Sequence, residues 1–119
     1  GITITGTSHL TEEEIRRAMR DAAAFAGRDK ERREALEAMN AAEAALYRVN
    51  TALNSRVGKE LDRDTRLHIK EGVRRLERAL RRKKADRLTP EDAHNINAAR
   101  EELSAVAAPL VEKWETSAK

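Results

Sequence analysis

The feature that most constrains this chain is a switch from a strand-like pattern to a helix start within its first 15 residues. Residues 2–5 read Ile-Thr-Ile-Thr, an alternation typical of a β-strand. Leu10 then precedes Thr11, which can cap a helix, and Glu14 follows three residues later, the spacing of a capping box. Nothing strand-like recurs. We therefore predict an all-α chain with a short N-terminal extended segment, the tail of a preceding β domain.

The composition supports one helical domain. The 119 residues are rich in Ala, Leu, Glu and Arg, which are strong helix formers, and only 3% are aromatic. The absence of cysteine excludes a disulfide scaffold and thiol catalysis and fits a reducing compartment, so we expect a cytoplasmic protein. No apolar run approaches the ~20 residues of a membrane span, and we expect no membrane partner. Because the chain begins with Gly1, we also expect it to be a fragment of a longer protein.

Apolar residues at helical spacing predict two long helices, A over residues 12–26 and B over residues 30–57. Gly27 and Asp29 lie between them and are predicted to form a hinge with a bend or break in the helix. The segment is short enough that one continuous helix could also bridge it. In helix B the apolar stripe is predicted to contain two polar interruptions, Glu43 and Asn50, alongside Leu36, Met39, Leu46, Leu53 and Val57.

Three further helices are predicted beyond Gly58, which is a good stop signal for helix B. Asp62 or Asp64 can cap helix C, Thr89 can cap helix D, and Pro109 is expected to begin a short helix E. The end of B with C, D and E should close a small antiparallel bundle. We thus divide the chain into residues 1–10, 11–57 and 58–119. The predicted core comprises Leu53, Val57, Val73, Leu76, Leu80, Ile96, Leu103, Val106 and Trp114.

The sequence gives no case for catalysis. His9, His68 and His94 are far apart, and none belongs to a cluster with metal-ligand spacing. The glycines are isolated, so no phosphate-binding loop is present. We predict no catalytic, cofactor-binding or metal site, and hence a chain that is not itself an enzyme.

Basic charge is concentrated in residues 63–87, which carry eleven Lys or Arg and four Asp or Glu, a net +7. One interpretation is a free-standing helical interaction module that binds nucleic acid or an acidic partner through this region. The simpler one is a solvated helix face whose last cations are favoured by the helix dipole. No aromatic residue interleaves the basic ones to stack on bases, so we do not expect a nucleic-acid partner.

The order of residues resembles the seventy-kilodalton heat-shock chaperone family, DnaK. The resemblance begins with the Ile-Thr-Ile-Thr stretch at 2–5, continues through Leu-Thr-Glu-Glu-Glu-Ile at 10–15 and Arg-Asp-Ala at 20–22, and extends through Asn40 and Glu43 to Gly58. It is strongest over residues 2–53. Beyond Leu61 only the order and lengths of the helices match.

The resemblance implies the helical lid of a substrate-binding domain, which closes over unfolded client peptides bound by a β-sandwich of the same parent chain. It implies that ATP binding in a separate ATPase domain opens the lid and that ADP lets it close. Glu43 and Tyr47 match the positions that latch the lid to the sandwich. The apolar strip of helix A would then face the sandwich, and in the isolated chain it should mediate self-association into a homodimer; its residues are Ile15, Met19, Ala22 and Phe25.

Overall fold

The computed structural model describes residues 10–117, which contain helices and turns and no strand. This confirms the predicted all-α class; the extended segment predicted at residues 2–5 lies outside the described part. In chain order the elements are α1 (Glu12–Asn54), α2 (Arg56–Lys59), α3 (Arg63–Leu80), a 3₁₀ turn (Ala85–Arg87) and α4 (Pro90–Ser117).

The chain divides into two units, Gly1–Glu31 and Arg32–Lys119. Within the first unit, every residue from 10 to 31 is exposed. The second unit contains the hydrophobic core, which joins side chains from α1, α2, α3 and α4. The three-part division drawn from the sequence, at residues 10 and 57, stays a prediction.

The predicted helices A and B form one helix, α1, whose first turn is capped as the sequence predicts. Thr11 Oγ1 accepts a hydrogen bond from the Glu14 N–H at 3.1 Å, and the Thr11 hydroxyl donates to Glu14 Oε1 at 3.2 Å. The helix assignment continues through Gly27 to Asn54, so the predicted break is not found. A glycine in a helix costs only about 1 kcal/mol relative to alanine, which the strong helix formers on both sides outweigh.

Helix α1 ends at Asn54, three residues before the predicted end, and Gly58 has another role. Gly58 is buried in α2, where a Cβ would lie 2.2 Å from the Leu53 carbonyl oxygen. The side chain of Arg66 bridges the end of α1 and α2: its Nη1 donates hydrogen bonds to the carbonyl oxygens of Leu53 at 3.3 Å and Gly58 at 2.8 Å. Gly58 therefore permits a close backbone approach instead of stopping a helix.

The buried face of α1 differs from the predicted stripe. Leu36 is 50% exposed, and Glu43 and Asn50 are exposed, so neither polar residue interrupts a packed seam. The residues that α1 buries are mostly alanines, which let the other helices approach closely: Ala35, Ala38, Ala42, Val49, Ala52 and Leu53. We call this set the alanine seam. Of the predicted stripe, Leu53 and Val57 are buried, and Met39 and Leu46 pack against the core. The prediction was wrong at Leu36, and it overlooked alanine.

Helices α3 and α4 pack antiparallel. Arg75 pairs with Glu102 at 3.1 Å, and Lys83, just after α3, pairs with Asp92 at 3.0 Å. Residue numbers therefore rise along α3 where they fall along α4, as in an antiparallel pair. Of the two predicted caps of α3, Asp62 is the one used: its carboxylate accepts hydrogen bonds from the Thr65 N–H and hydroxyl.

The start of α4 is closed by reciprocal hydrogen bonds. The Asp92 N–H donates to Thr89 Oγ1 at 3.0 Å, and the Thr89 N–H donates to Asp92 Oδ2 at 3.2 Å. This confirms the predicted cap at Thr89. Pro109, in contrast, lies inside α4 and does not begin a separate helix. Pro109 and Ala105 are both exposed, so the carbonyl that loses its helical partner lies where water can reach it.

Most of the predicted core is confirmed, and Val106 is the exception. Val106 is 43% exposed, because the uninterrupted α4 turns Ala107 and Leu110 into the core instead. Leu80 and Trp114 are partly buried and pack against the core. The predicted residues that are buried are Leu53, Val57, Val73, Leu76, Ile96 and Leu103.

Candidate functional site

One candidate surface is the apolar strip near the start of α1, in the unit Gly1–Glu31. Ile15 is 45% exposed, Met19 66% and Phe25 67%, and Ala22 is exposed as well. Their spacing of three or four residues places them along one side of the helix. Apolar groups of this size on a single helical face are typical of a surface that meets a partner.

A separate candidate surface is a face of α1 in the unit Arg32–Lys119. Leu36, Asn40, Glu43 and Tyr47 recur at intervals of four, three and four residues and therefore share one side of the helix. All four are exposed, and Tyr47 is 72% exposed. The alanine seam anchors α1 to the core along another side, so this polar face is presented on a rigid element.

Glu43 is available to an external donor. Arg48, the nearest arginine after Glu43 in α1, pairs instead with Glu115 near the end of α4. Within residues 10–117 no ion pair of Glu43 is formed, so its carboxylate oxygens are free to accept a hydrogen bond from another molecule. Tyr47, one turn further on, carries a hydroxyl on the same face.

Leu36 shares this face with Glu43, as the predicted stripe of helix B has it, but its side chain is exposed. Leu36 lies seven residues before Glu43 and eleven before Tyr47, and both intervals return to the same side of a helix. Gly27 also lies in exposed helix, with nothing within 4 Å of the place a Cβ would occupy, and Asp29 follows it two residues later. The structure thus gives the positions of all the predicted site residues, whose roles stay predictions.

The titratable groups with shifted pKa values lie at helix starts and not on this face. The hydrogen bond from Lys83, together with those from Thr89, holds the pKa of the Asp92 carboxyl below its ordinary value. Hydrogen bonds from the side chain and backbone of Thr65 likewise lower the pKa of Asp62. Both groups stabilise local structure as anions.

Over residues 10–117, no three His, Cys, Asp or Glu side chains come together as a metal site would require. His68 and His94 are both exposed, and His68 Nδ1 lies 2.9 Å from the Asp64 carbonyl oxygen. In the same part of the chain, none of the helices combines the length and apolar character that a membrane crossing needs.

Comparison with known proteins gives a consistent family signal. A family model described as Hsp70 protein matches residues 1–116. The chaperone protein DnaK of Thermoplasma volcanium is 35% identical over 86 residues, which cover 72% of this chain and 14% of that protein. DnaK of Thermoplasma acidophilum is 34% identical over the same length, and DnaK of Akkermansia muciniphila is 35% identical over 102 residues, 86% of this chain and 14% of that protein. No solved structure matches the chain significantly.

Proposed function

Because this chain belongs to the Hsp70 protein family, we propose that it is the helical lid of a DnaK-type molecular chaperone. The chain spans 14% of the length of the curated relatives above. In this proposal the lid closes over the peptide-binding cleft of a β-sandwich in the same parent chain and slows the release of unfolded client segments. An ATPase domain of the parent chain controls closure, opening the lid with ATP and closing it with ADP.

The observation that carries the proposal is the exposed apolar strip of α1. Ile15, Met19 and Phe25 each leave close to half or more of their surface in water. Burial of apolar surface contributes roughly 25 cal/mol per Å², so this strip favours a protein partner. In the parent chain that partner is the β-sandwich. Family membership favours this reading over a free-standing interaction module.

When the sandwich is missing, the same strip should join two copies of the chain. We propose a homodimer that forms through the start of α1. Light scattering or sedimentation at micromolar concentration should detect it, and Ile15→Asp should abolish it. A monomer at every concentration would contradict the homodimer. The lid proposal does not depend on this result and is tested by the latch experiment below.

Glu43 and Tyr47 form the proposed latch. In the closed state Glu43 accepts a charge-assisted hydrogen bond from a Lys or Arg of the sandwich, and Tyr47 adds a second contact. A hydrogen bond to a charged group contributes about 1.5–3 kcal/mol when it is partly desolvated. Gly27 and Asp29 form the proposed hinge, where the low helix propensity of glycine makes a bend least costly.

The test is peptide dissociation from the full-length chaperone in the ADP state. Because about 1.4 kcal/mol corresponds to a factor of ten, Glu43→Ala should release a bound peptide about tenfold faster. Tyr47→Ala should act in the same direction. Glu37→Ala is the matched control, since Glu37 is an exposed glutamate on another side of the same helix. Unchanged release in both latch variants, or equal acceleration by Glu37→Ala, would contradict the latch.

A further inference from the structure

A cationic groove lies between the end of α1 and α3. Its volume is about 310 Å³. Leu53 and Val73 line it with apolar surface and are 4% and 7% exposed, so they form a fixed floor. The rim carries three cations and one carboxylate, those of Arg66, Lys70, Arg74 and Glu77.

The cations of this groove, like several others of residues 63–87, have no carboxylate partner within the described part of the chain. Elsewhere in the bundle Arg75 pairs with Glu102, and Lys83 pairs with Asp92. In the stretch 10–117 neither Lys70 nor Arg74 forms an ion pair, although Lys70 is half-buried. A cation without a counter-charge can take an external anion as its partner.

Arg66 adds rigidity to one end of the groove. Its Nη1 is held by the carbonyl oxygens of Leu53 and Gly58, at 3.3 Å and 2.8 Å. The guanidinium is therefore fixed in position, while its remaining N–H groups can still donate. A fixed donor loses less conformational entropy on binding than a mobile one.

We infer that this groove binds an acidic peptide segment of a partner protein. One apolar side chain of the segment lies on the Leu53 and Val73 floor, and its carboxylates meet Lys70 and Arg74. The groove suits a peptide better than a nucleic acid for two reasons. The Leu53 and Val73 floor accepts an apolar side chain, which a phosphate backbone does not offer, and no aromatic side chain lines the groove to stack on a base.

Fluorescence anisotropy of the 119-residue chain tests the inference with a labelled eight-residue peptide of Glu and Asp around one central Leu. A peptide with Gln and Asn in place of the acids, and a single-stranded oligonucleotide, are the comparison probes. We expect saturable binding of the acidic peptide that weakens as salt is raised. The Gln/Asn peptide should bind at least about tenfold more weakly, because it lacks the charge-assisted contacts.

The variant pair separates the groove from general electrostatics. Lys70→Glu with Arg74→Glu should weaken binding of the acidic peptide at least about tenfold. Arg78→Glu with Lys84→Glu makes the same change of charge outside the groove and should weaken it less than about threefold. Lys70→Gln with Arg74→Gln provides a milder version, and circular dichroism verifies that each variant folds.

Three results would overturn the inference. The first is no saturable binding of the acidic peptide. The second is an equal loss of affinity in the groove and control variants, which would show a non-specific charge effect. The third is tighter binding of the oligonucleotide than of the peptide with the same dependence on Lys70 and Arg74, which would identify a nucleic-acid site instead.

Discussion

At the scale of single residues, Gly58 shows how a small side chain decides the path of the backbone. A Cβ there would lie 2.2 Å from the Leu53 carbonyl oxygen and 2.3 Å from that of Ala52. Both atoms belong to the last turn of α1, which cannot move without losing helical hydrogen bonds. We predict that Gly58→Ala lowers the free energy of unfolding by about 1–3 kcal/mol in urea denaturation.

Gly27→Ala is the matched control, since nothing lies within 4 Å of its Cβ position. Alanine is the better helix former by about 1 kcal/mol, so this variant should keep or raise the helicity measured by circular dichroism. A neutral Gly58→Ala variant would mean that the corner between α1 and α2 is looser than the structure indicates.

Asp92 makes one contribution to stability depend on pH. The hydrogen bond from Lys83 and those from Thr89 lower its folded-state pKa, so the carboxylate favours folding when it is charged. This contribution is fully present above the unfolded pKa of about 3.9 and is lost as pH falls through the folded value. We predict that wild type unfolds at higher urea concentration than Asp92→Asn at pH 7, and that the difference is lost as the pH is lowered from about 3.9 through the folded-state pKa of Asp92. A difference that persists below that pKa would contradict the electrostatic origin.

The helix caps were predictable from sequence, whereas the role of Gly58 was not. Thr11, Asp62 and Thr89 each bond a backbone N–H only three residues away, so local order suffices to find them. Gly58 has no room for a Cβ because the last turn of α1 lies directly against α2. Its carbonyl oxygen accepts a hydrogen bond from Arg66, which belongs to α3. Sequence spacing alone does not reveal such approaches.

At the scale of elements, α1 is held to the core by the alanine seam. Ala42 is fully buried. Because protein interiors are close-packed, a larger side chain at this position would overpack the core. We predict that Ala42→Leu costs about 1–3 kcal/mol of unfolding free energy. Ala44→Leu makes the same change at an exposed position of the same helix and should cost little. Equal effects would mean that α1 packs through another face.

The same seam explains why helix faces were harder to predict than helix starts. Leu36 was predicted on the apolar stripe of helix B and Val106 in the core, and both side chains are exposed. Alanine contributes little to a hydrophobic pattern, yet it buries well where two helices approach closely. Glycine and proline were also weighted too strongly, because α1 continues through Gly27 and α4 through Pro109. Strong helix formers on both sides outweigh the local cost of Gly27, and burial of Ala107 and Leu110 holds α4 together around Pro109.

At the scale of the whole molecule, the sequence predicted the class and the family, and the structure added the surfaces. The exposed strip of α1 followed from apolar periodicity, because no partner for it could be found in the chain. The cationic groove could be predicted only as an excess of charge over residues 63–87. Its apolar floor depends on α1 and α3 being adjacent, which requires the fold.

The location of the core gives the last prediction. Leu76 is fully buried in the unit Arg32–Lys119, whereas Met19 is 66% exposed in the unit Gly1–Glu31. Truncating a buried Leu typically costs about 2–5 kcal/mol, and each 1 kcal/mol shifts Tm by roughly 4–8 °C in a domain of this size. We therefore expect Leu76→Ala to lower Tm by at least about 8 °C, and Met19→Ala to leave it nearly unchanged. Thermal unfolding at low protein concentration, where self-association is minimal, is the appropriate measurement. Equal shifts would place the stabilising core in the first unit, and the second unit would then not be the folded body that presents Glu43 and Tyr47.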